Sequence, residues 1–135
     1  MNRLKLGIAL AIAALMASFG IGASPAYAAY PTTPFGITGG EDFGWTNGGF
    51  IWYNRSVGVQ GEVCDEGGVG STTVWFYFYL NRQGTGTPYS EEPRSETNAC
   101  RPFNWSESGP AGGILSVRVW LCTTGGCGYE LYTRP

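Results

Sequence analysis

An all-β fold, an antiparallel β-sandwich, is predicted for this chain from three observations. The stretch Thr72 to Leu80 holds only β-branched, aromatic and leucine side chains, the types that fit a pleated, half-buried surface. Ser56 to Cys64 and Ile114 to Cys122 alternate apolar and polar residues with the period of two that a strand with one buried face requires. Strand-like runs recur at intervals of about ten residues between Gly-rich turns, and beyond the N-terminal segment nothing repeats with helical periodicity.

Taken in order, Met1-Asn2-Arg3-Leu4-Lys5 is a basic head, Leu6 to Ile21 an apolar run, and Ala26-Tyr27-Ala28 a small-residue end. This pattern is a secretory signal peptide, residues 1–28, and its apolar run is shorter than the roughly 20 residues a membrane span needs. With no Cys at the cleavage site and no apolar C-terminal tail, a secreted, extracellular protein without a membrane partner is expected. Residues 29–43, with Pro31 and Pro34, read as an extended lead-in carrying one short edge strand around Phe35 to Thr38. Residues 44–135 read as a single sandwich domain.

Within that domain Asn47-Gly48 is a strong hairpin-turn signal, and Phe50-Ile51-Trp52-Tyr53 resumes as strand. Ser56 to Cys64 sends Val57, Val59 and Val63 one way and Gln60, Glu62 and Cys64 the other. The turn Asp65 to Ser71 leads into Thr72 to Leu80, which is expected to pair antiparallel with the strand before it. Val74, Phe76, Phe78 and Leu80 form its core face, and Thr73, Trp75, Tyr77 and Tyr79 an amphipathic one. Asn81 to Asn98 is rich in Gly, Pro and Glu and reads mostly as loop, with one irregular strand near Thr87 to Ser90. Ala99 to Trp105 is a strand that Pro102 confines to a sheet edge. Ile114 to Cys122 buries Leu115, Val117, Val119 and Leu121 and turns Ser116, Arg118 and Trp120 outward. The turn at Gly125-Gly126 returns the chain through Cys127 to Tyr132 as the closing strand.

All four cysteines lie in the exported part, where disulfides form. Three pairings are open. Cys122 and Cys127 flank four residues as across a hairpin, which favours their bond and leaves Cys64 with Cys100. In the chain-entropy view the short loop contributes about 2 kcal/mol and the long one about 4 kcal/mol. The Cys-x4-Cys spacing and the lack of His fit zinc poorly, so no metal and no cofactor are expected.

Removing residues 1–28 from the 135 leaves 107 residues, whose six arginines face ten acidic groups for a net charge of −4. The arginines are scattered, whereas nucleic acid or an anionic membrane needs a clustered positive footprint, so neither is expected as a partner. The exported part has no His and no Lys, which leaves no base for a Ser-His-Asp triad and no amine for a Ser-Lys dyad or Schiff base. A carboxylate pair of the glycosidase kind is the remaining catalytic option, with Glu91, Glu92 and Glu96 as its residues. Adjacent carboxylates in a polar segment are far more often a solvated surface, so the protein is read as a non-enzyme.

The segments Trp52 to Gly61, Gly112-Gly113-Ile114 and Leu121-Cys122 through Cys127-Gly128 to Tyr132-Thr133-Arg134-Pro135 resemble uncharacterised small secreted proteins of actinobacteria. The resemblance implies secretion and a β fold and attaches no catalytic residues. In size and cysteine number the chain is also similar to the small all-β α-amylase inhibitors of actinobacteria. Those present a Trp-Arg-Tyr loop where this sequence has Trp52-Tyr53-Asn54-Arg55, so the likeness is one of architecture, and inhibition of a secreted hydrolase is the alternative function it implies.

The strongest functional candidate is an aromatic sheet face made of Trp75, Tyr77 and Tyr79 on one strand and Arg118 and Trp120 on another. Tyr and Trp supply large rigid area with a polar tip, suited to stacking on sugar rings or anchoring a protein interface. The expected activity is therefore binding or surface association, with a polysaccharide or another secreted protein as partner. The competing view is that loops or the lead-in cover this face.

Overall fold

The computed structural model describes residues 32–40 and 42–135, so the predicted signal peptide lies outside the described residues. Eight strands form two four-stranded antiparallel sheets, with no helix among the described residues. One sheet holds β1 (Thr33–Thr38), β2 (Gly44–Trp52), β3 (Val57–Asp65) and β6 (Cys100–Glu107), in the order β1-β2-β3-β6. The other holds β4 (Thr72–Tyr79), β5 (Ser90–Glu96), β7 (Ser116–Thr123) and β8 (Gly126–Thr133), in the order β5-β4-β7-β8. The predicted β-sandwich is therefore present, and both disulfides, Cys64–Cys100 and Cys122–Cys127, join the expected partners.

Period-two alternation sorts the core as expected over most of its length. Val57, Val59 and Val63 from β3 meet Val74, Phe76 and Phe78 from β4 and Val117, Val119 and Leu121 from β7. Two expected core residues move. Leu80 is 44% exposed because β4 ends at Tyr79, and the chain then turns away from the sheet. Leu115 lies ahead of β7 and is half-buried, while its neighbour Ile114 is fully buried.

Three other expectations are corrected. Asn47 and Gly48 do not form a turn but lie inside β2, paired with Glu62 and Gly61 of β3. β3 and β4 do not pair, since the turn between them carries the chain from one sheet to the other. Ser90 to Glu96 is a regular strand rather than loop, bonded to β4 in register Trp75 with Pro93 and Tyr77 with Glu91. Pro93 does not break this strand. It sits on an outer strand, as do Pro34 and Pro102, so its missing N–H costs no ladder bond.

The expected short edge strand near Phe35 to Thr38 is present as β1. It pairs with β2, and Phe35 joins the core. Phe35 and Tyr132 close one open side of the sandwich with ring centroids 6.2 Å apart. Burial, followed by the Tyr132 O–H donating to Glu130 at 2.6 Å, pushes the Tyr132 phenol up to about 12. On the opposite side the Arg94 guanidinium lies 4.0 Å over the Trp105 ring, tying β5 to β6.

Asp65 fastens the crossing between sheets. Thr72 Oγ1 donates to its Oδ1 at 2.7 Å and the Asn98 backbone N–H donates to its Oδ2 at 2.9 Å. Asn98 adopts φ 53°, a left-handed conformation that asparagine tolerates. The Asn98 N–H first, then the Thr72 hydroxyl, hold the Asp65 carboxyl below its ordinary value against the opposing effect of burial.

Candidate functional site

The outer face of the β5-β4-β7-β8 sheet gathers the predicted aromatic residues. Because β4 and β7 pair with Trp75 opposite Trp120 and Tyr77 opposite Arg118, these four side chains emerge side by side on the same surface. The register extends both rows across the whole sheet. One row reads Pro93, Trp75, Trp120, Tyr129 and the next Glu91, Tyr77, Arg118, Leu131. Sequence reasoning did not place Tyr129 or Glu91 on this face. Both sit on outer strands whose register is set only by pairing, and the alternation within β8 is too polar to reveal it.

Neighbouring rings align both along β4, between the rows, and across β7 and β8, within one row. Trp75 and Tyr77 stack with centroids 6.2 Å apart and planes 17° from parallel, and Trp120 and Tyr129 lie 4.5 Å apart. Tyr129 is 55% exposed, whereas Trp75, Tyr77, Arg118 and Trp120 are half-buried by one another. Among the described residues of the lead-in, β1 belongs to the other sheet and does not cover this surface.

A loop does cover its lower end. Tyr79 is only 5% exposed and forms the floor of a cleft rather than part of the open platform. The loop after β4 is braced by Asn81, whose Nδ2 donates to Thr85 O at 2.9 Å while its Oδ1 accepts from Thr85 N–H at 3.2 Å. Ser116 Oγ, fully buried on β7, donates to Asn81 O at 2.6 Å and pins this loop to the sheet. Gly84, at φ +60°, packs so closely on Leu131 that a Cβ there would lie 2.4 Å from Leu131 Cδ1.

Arg118 is fixed by this loop. Its Nη2 donates to Gly84 O at 2.6 Å, and its guanidinium carbon lies 5.5 Å from the Tyr79 ring centre and 5.1 Å from that of Tyr129. Its Nε has no hydrogen-bond partner among the described residues. Tyr77, Tyr79, Pro88, Glu91, Arg118 and Trp120 enclose a shallow cleft of about 300 Å³. Partial burial raises the Tyr77 phenol above its ordinary value, and the nearby Glu91 carboxylate adds to that effect. The phenol therefore stays a neutral donor and acceptor.

The other chemical candidates are dispersed. β5 directs Glu91 outward and Glu92 toward the sandwich interior, where Arg94 Nη1 donates to Glu92 at 3.1 Å. Glu96 faces the same inner side as Glu92, so Glu91 shares its cleft with neither of them. Glu62 lies near Cys64 and Cys100, but both sulfurs are consumed by their disulfide and offer no thiolate. In the stretch compared with the inhibitor loop, Trp52 is fully buried and donates from Nε1 to Thr33 Oγ1 at 2.9 Å, leaving Tyr53 and Arg55 exposed. Comparison of the chain with protein families, with curated proteins and with solved structures finds no match.

Proposed function

We propose that this protein is a secreted, non-catalytic binding module whose working surface is the outer face of the β5-β4-β7-β8 sheet. The observation that carries this reading is the uninterrupted row Pro93, Trp75, Trp120, Tyr129, which sets flat apolar groups on every strand of one exposed sheet. Trp and Tyr are the residue types that supply most binding energy per side chain, and a row of them facing solvent is otherwise a liability for solubility. The opposite outer face has no such row: β3 and β6 present Gln60, Glu62, Asn104 and Ser106 there. The 1–28 segment supports export, and the two disulfides are compatible with an oxidising, extracellular setting.

The test uses the cell-surface fraction and the secreted proteins of the producing cells. The purified exported chain is expected to be retained by one of them, and a Trp75→Ala, Trp120→Ala double variant with an unchanged circular dichroism spectrum is expected to be released. Equal retention of the folded double variant refutes the surface assignment.

A further inference from the structure

We infer that the ligand of this surface is a neutral, linear polysaccharide built of pyranose rings, an inference that rests on the binding role just proposed. A pyranose ring has two nearly flat C–H faces and a rim of hydroxyls. Its recognition therefore requires an aromatic plane combined with hydrogen-bond donors and acceptors at the plane's border. The cleft supplies this combination. Trp120 and Tyr77 offer the planes, Arg118 a fixed donor and Glu91 an acceptor. The Nη2 bond to Gly84 O holds the Arg118 guanidinium in place, so it lines the cleft as a preset donor for a sugar hydroxyl.

Size and charge narrow the class. A cleft of about 300 Å³ is at the lower limit of ligand pockets and admits one ring-sized unit. The aromatic row beside it crosses four strands, which at about 4.8 Å per strand spacing gives roughly 14 Å of platform, enough for a chain of several units. One carboxylate and one guanidinium leave the cleft itself without net charge. A polyanion would meet Glu91 and the −4 of the exported chain, and a polycation would find no net negative charge in the cleft because Arg118 offsets Glu91, so an uncharged chain fits best.

The experiment titrates the exported chain with soluble oligomers of glucose, xylose and N-acetylglucosamine and with a polyuronate, read by Trp fluorescence and calorimetry at low and high salt. At least one neutral oligomer is expected to bind, more tightly as it lengthens, and to change by less than about twofold with salt. Trp120→Ala is expected to weaken it about tenfold or more. Glu91→Gln, which keeps the side-chain shape, is expected to weaken it about threefold. Trp45→Phe, on the outer face of the other sheet, is expected to leave it unchanged. Binding of the polyuronate alone, with a steep salt dependence, overturns the inference. So does a complete lack of saccharide binding while Trp75- and Trp120-dependent retention of a secreted protein persists, an outcome in which the surface assignment stands and only the sugar class falls.

Discussion

Phe35 and Phe103 stand on the two opposite outer strands of the β1-β2-β3-β6 sheet, yet their ring centroids are 6.5 Å apart and their planes 5° from parallel. Three strand spacings would separate their backbones by roughly 14 Å. The residues between them in register are Gly48 and Gly61, so the rings lean inward over a floor without side chains. Phe76 from the other sheet then meets both edge-on, at 5.7 Å from Phe35 and 5.5 Å from Phe103. This cluster is the centre of the core, and it depends on two glycines whose lack of a side chain leaves the rings their space.

Gly48→Ala is therefore expected to be strongly destabilising. A Cβ at Gly48 would lie 2.1 Å from Gln60 O, 2.7 Å from Phe35 Cζ and 2.8 Å from Gly61 Cα, and backbone atoms cannot move aside as a flexible side chain can. A loss of about 2–4 kcal/mol in urea unfolding is expected. Gly128→Ala, where a Cβ meets nothing within 4 Å, is the control and is expected to be near neutral.

Asp65 makes stability pH-dependent in the acid range. Its folded carboxyl lies below the ordinary value of 3.8, so its contribution is complete above that value and is lost as pH falls through the lower folded one. Thermal melts should show wild type losing stability across this window. Asp65→Asn, which keeps an acceptor for Thr72 but sets an NH₂ against the Asn98 N–H, is expected to be less stable near neutrality and to converge with wild type as pH falls. Parallel pH curves for the two proteins would contradict the role given to Asp65.

The two disulfides are expected to contribute unequally. Cys64–Cys100 closes a sequence separation of 36 and Cys122–Cys127 one of 5. Replacing each pair by alanines and comparing urea midpoints is expected to cost about 4 kcal/mol for the first and about 2 kcal/mol for the second.

Asn81→Ala is expected to loosen the loop over the cleft without unfolding the sandwich. The variant loses both bonds to Thr85, for a cost of about 1 kcal/mol, and hydrogen exchange at the Thr85 amide should accelerate by about tenfold. Because that loop holds Arg118 through Gly84, any ligand affinity of the outer face is expected to fall with it.

Several features were readable in the residues alone. The alternation of Val57 to Val63, Val74 to Phe78 and Val117 to Leu121 identifies the inner faces, because burial of one side of a strand imposes a period of two on its own sequence. The same local rule placed Trp75, Tyr77, Arg118 and Trp120 outward. Proximity in sequence likewise pointed to the Cys122–Cys127 hairpin bond.

Pairing partners are another matter, because register and sheet order are set by contacts distant in the chain. Asn47-Gly48 carries a turn signal, yet the requirement for space under Phe35 and Phe103 makes that glycine part of a strand. The Gly, Pro and Glu content of Asn81 to Asn98 reads as loop, yet β5 tolerates Pro93 because it is an outer strand, where a missing N–H costs no ladder bond. Glu91 and Tyr129 join the aromatic rows only because β5 and β8 flank β4 and β7. Local propensity and alternation thus determined which residues are extended and which way they face. The tertiary structure alone decided which strands are neighbours, since hydrogen-bonded pairing and core volume are satisfied jointly by segments that the chain keeps far apart.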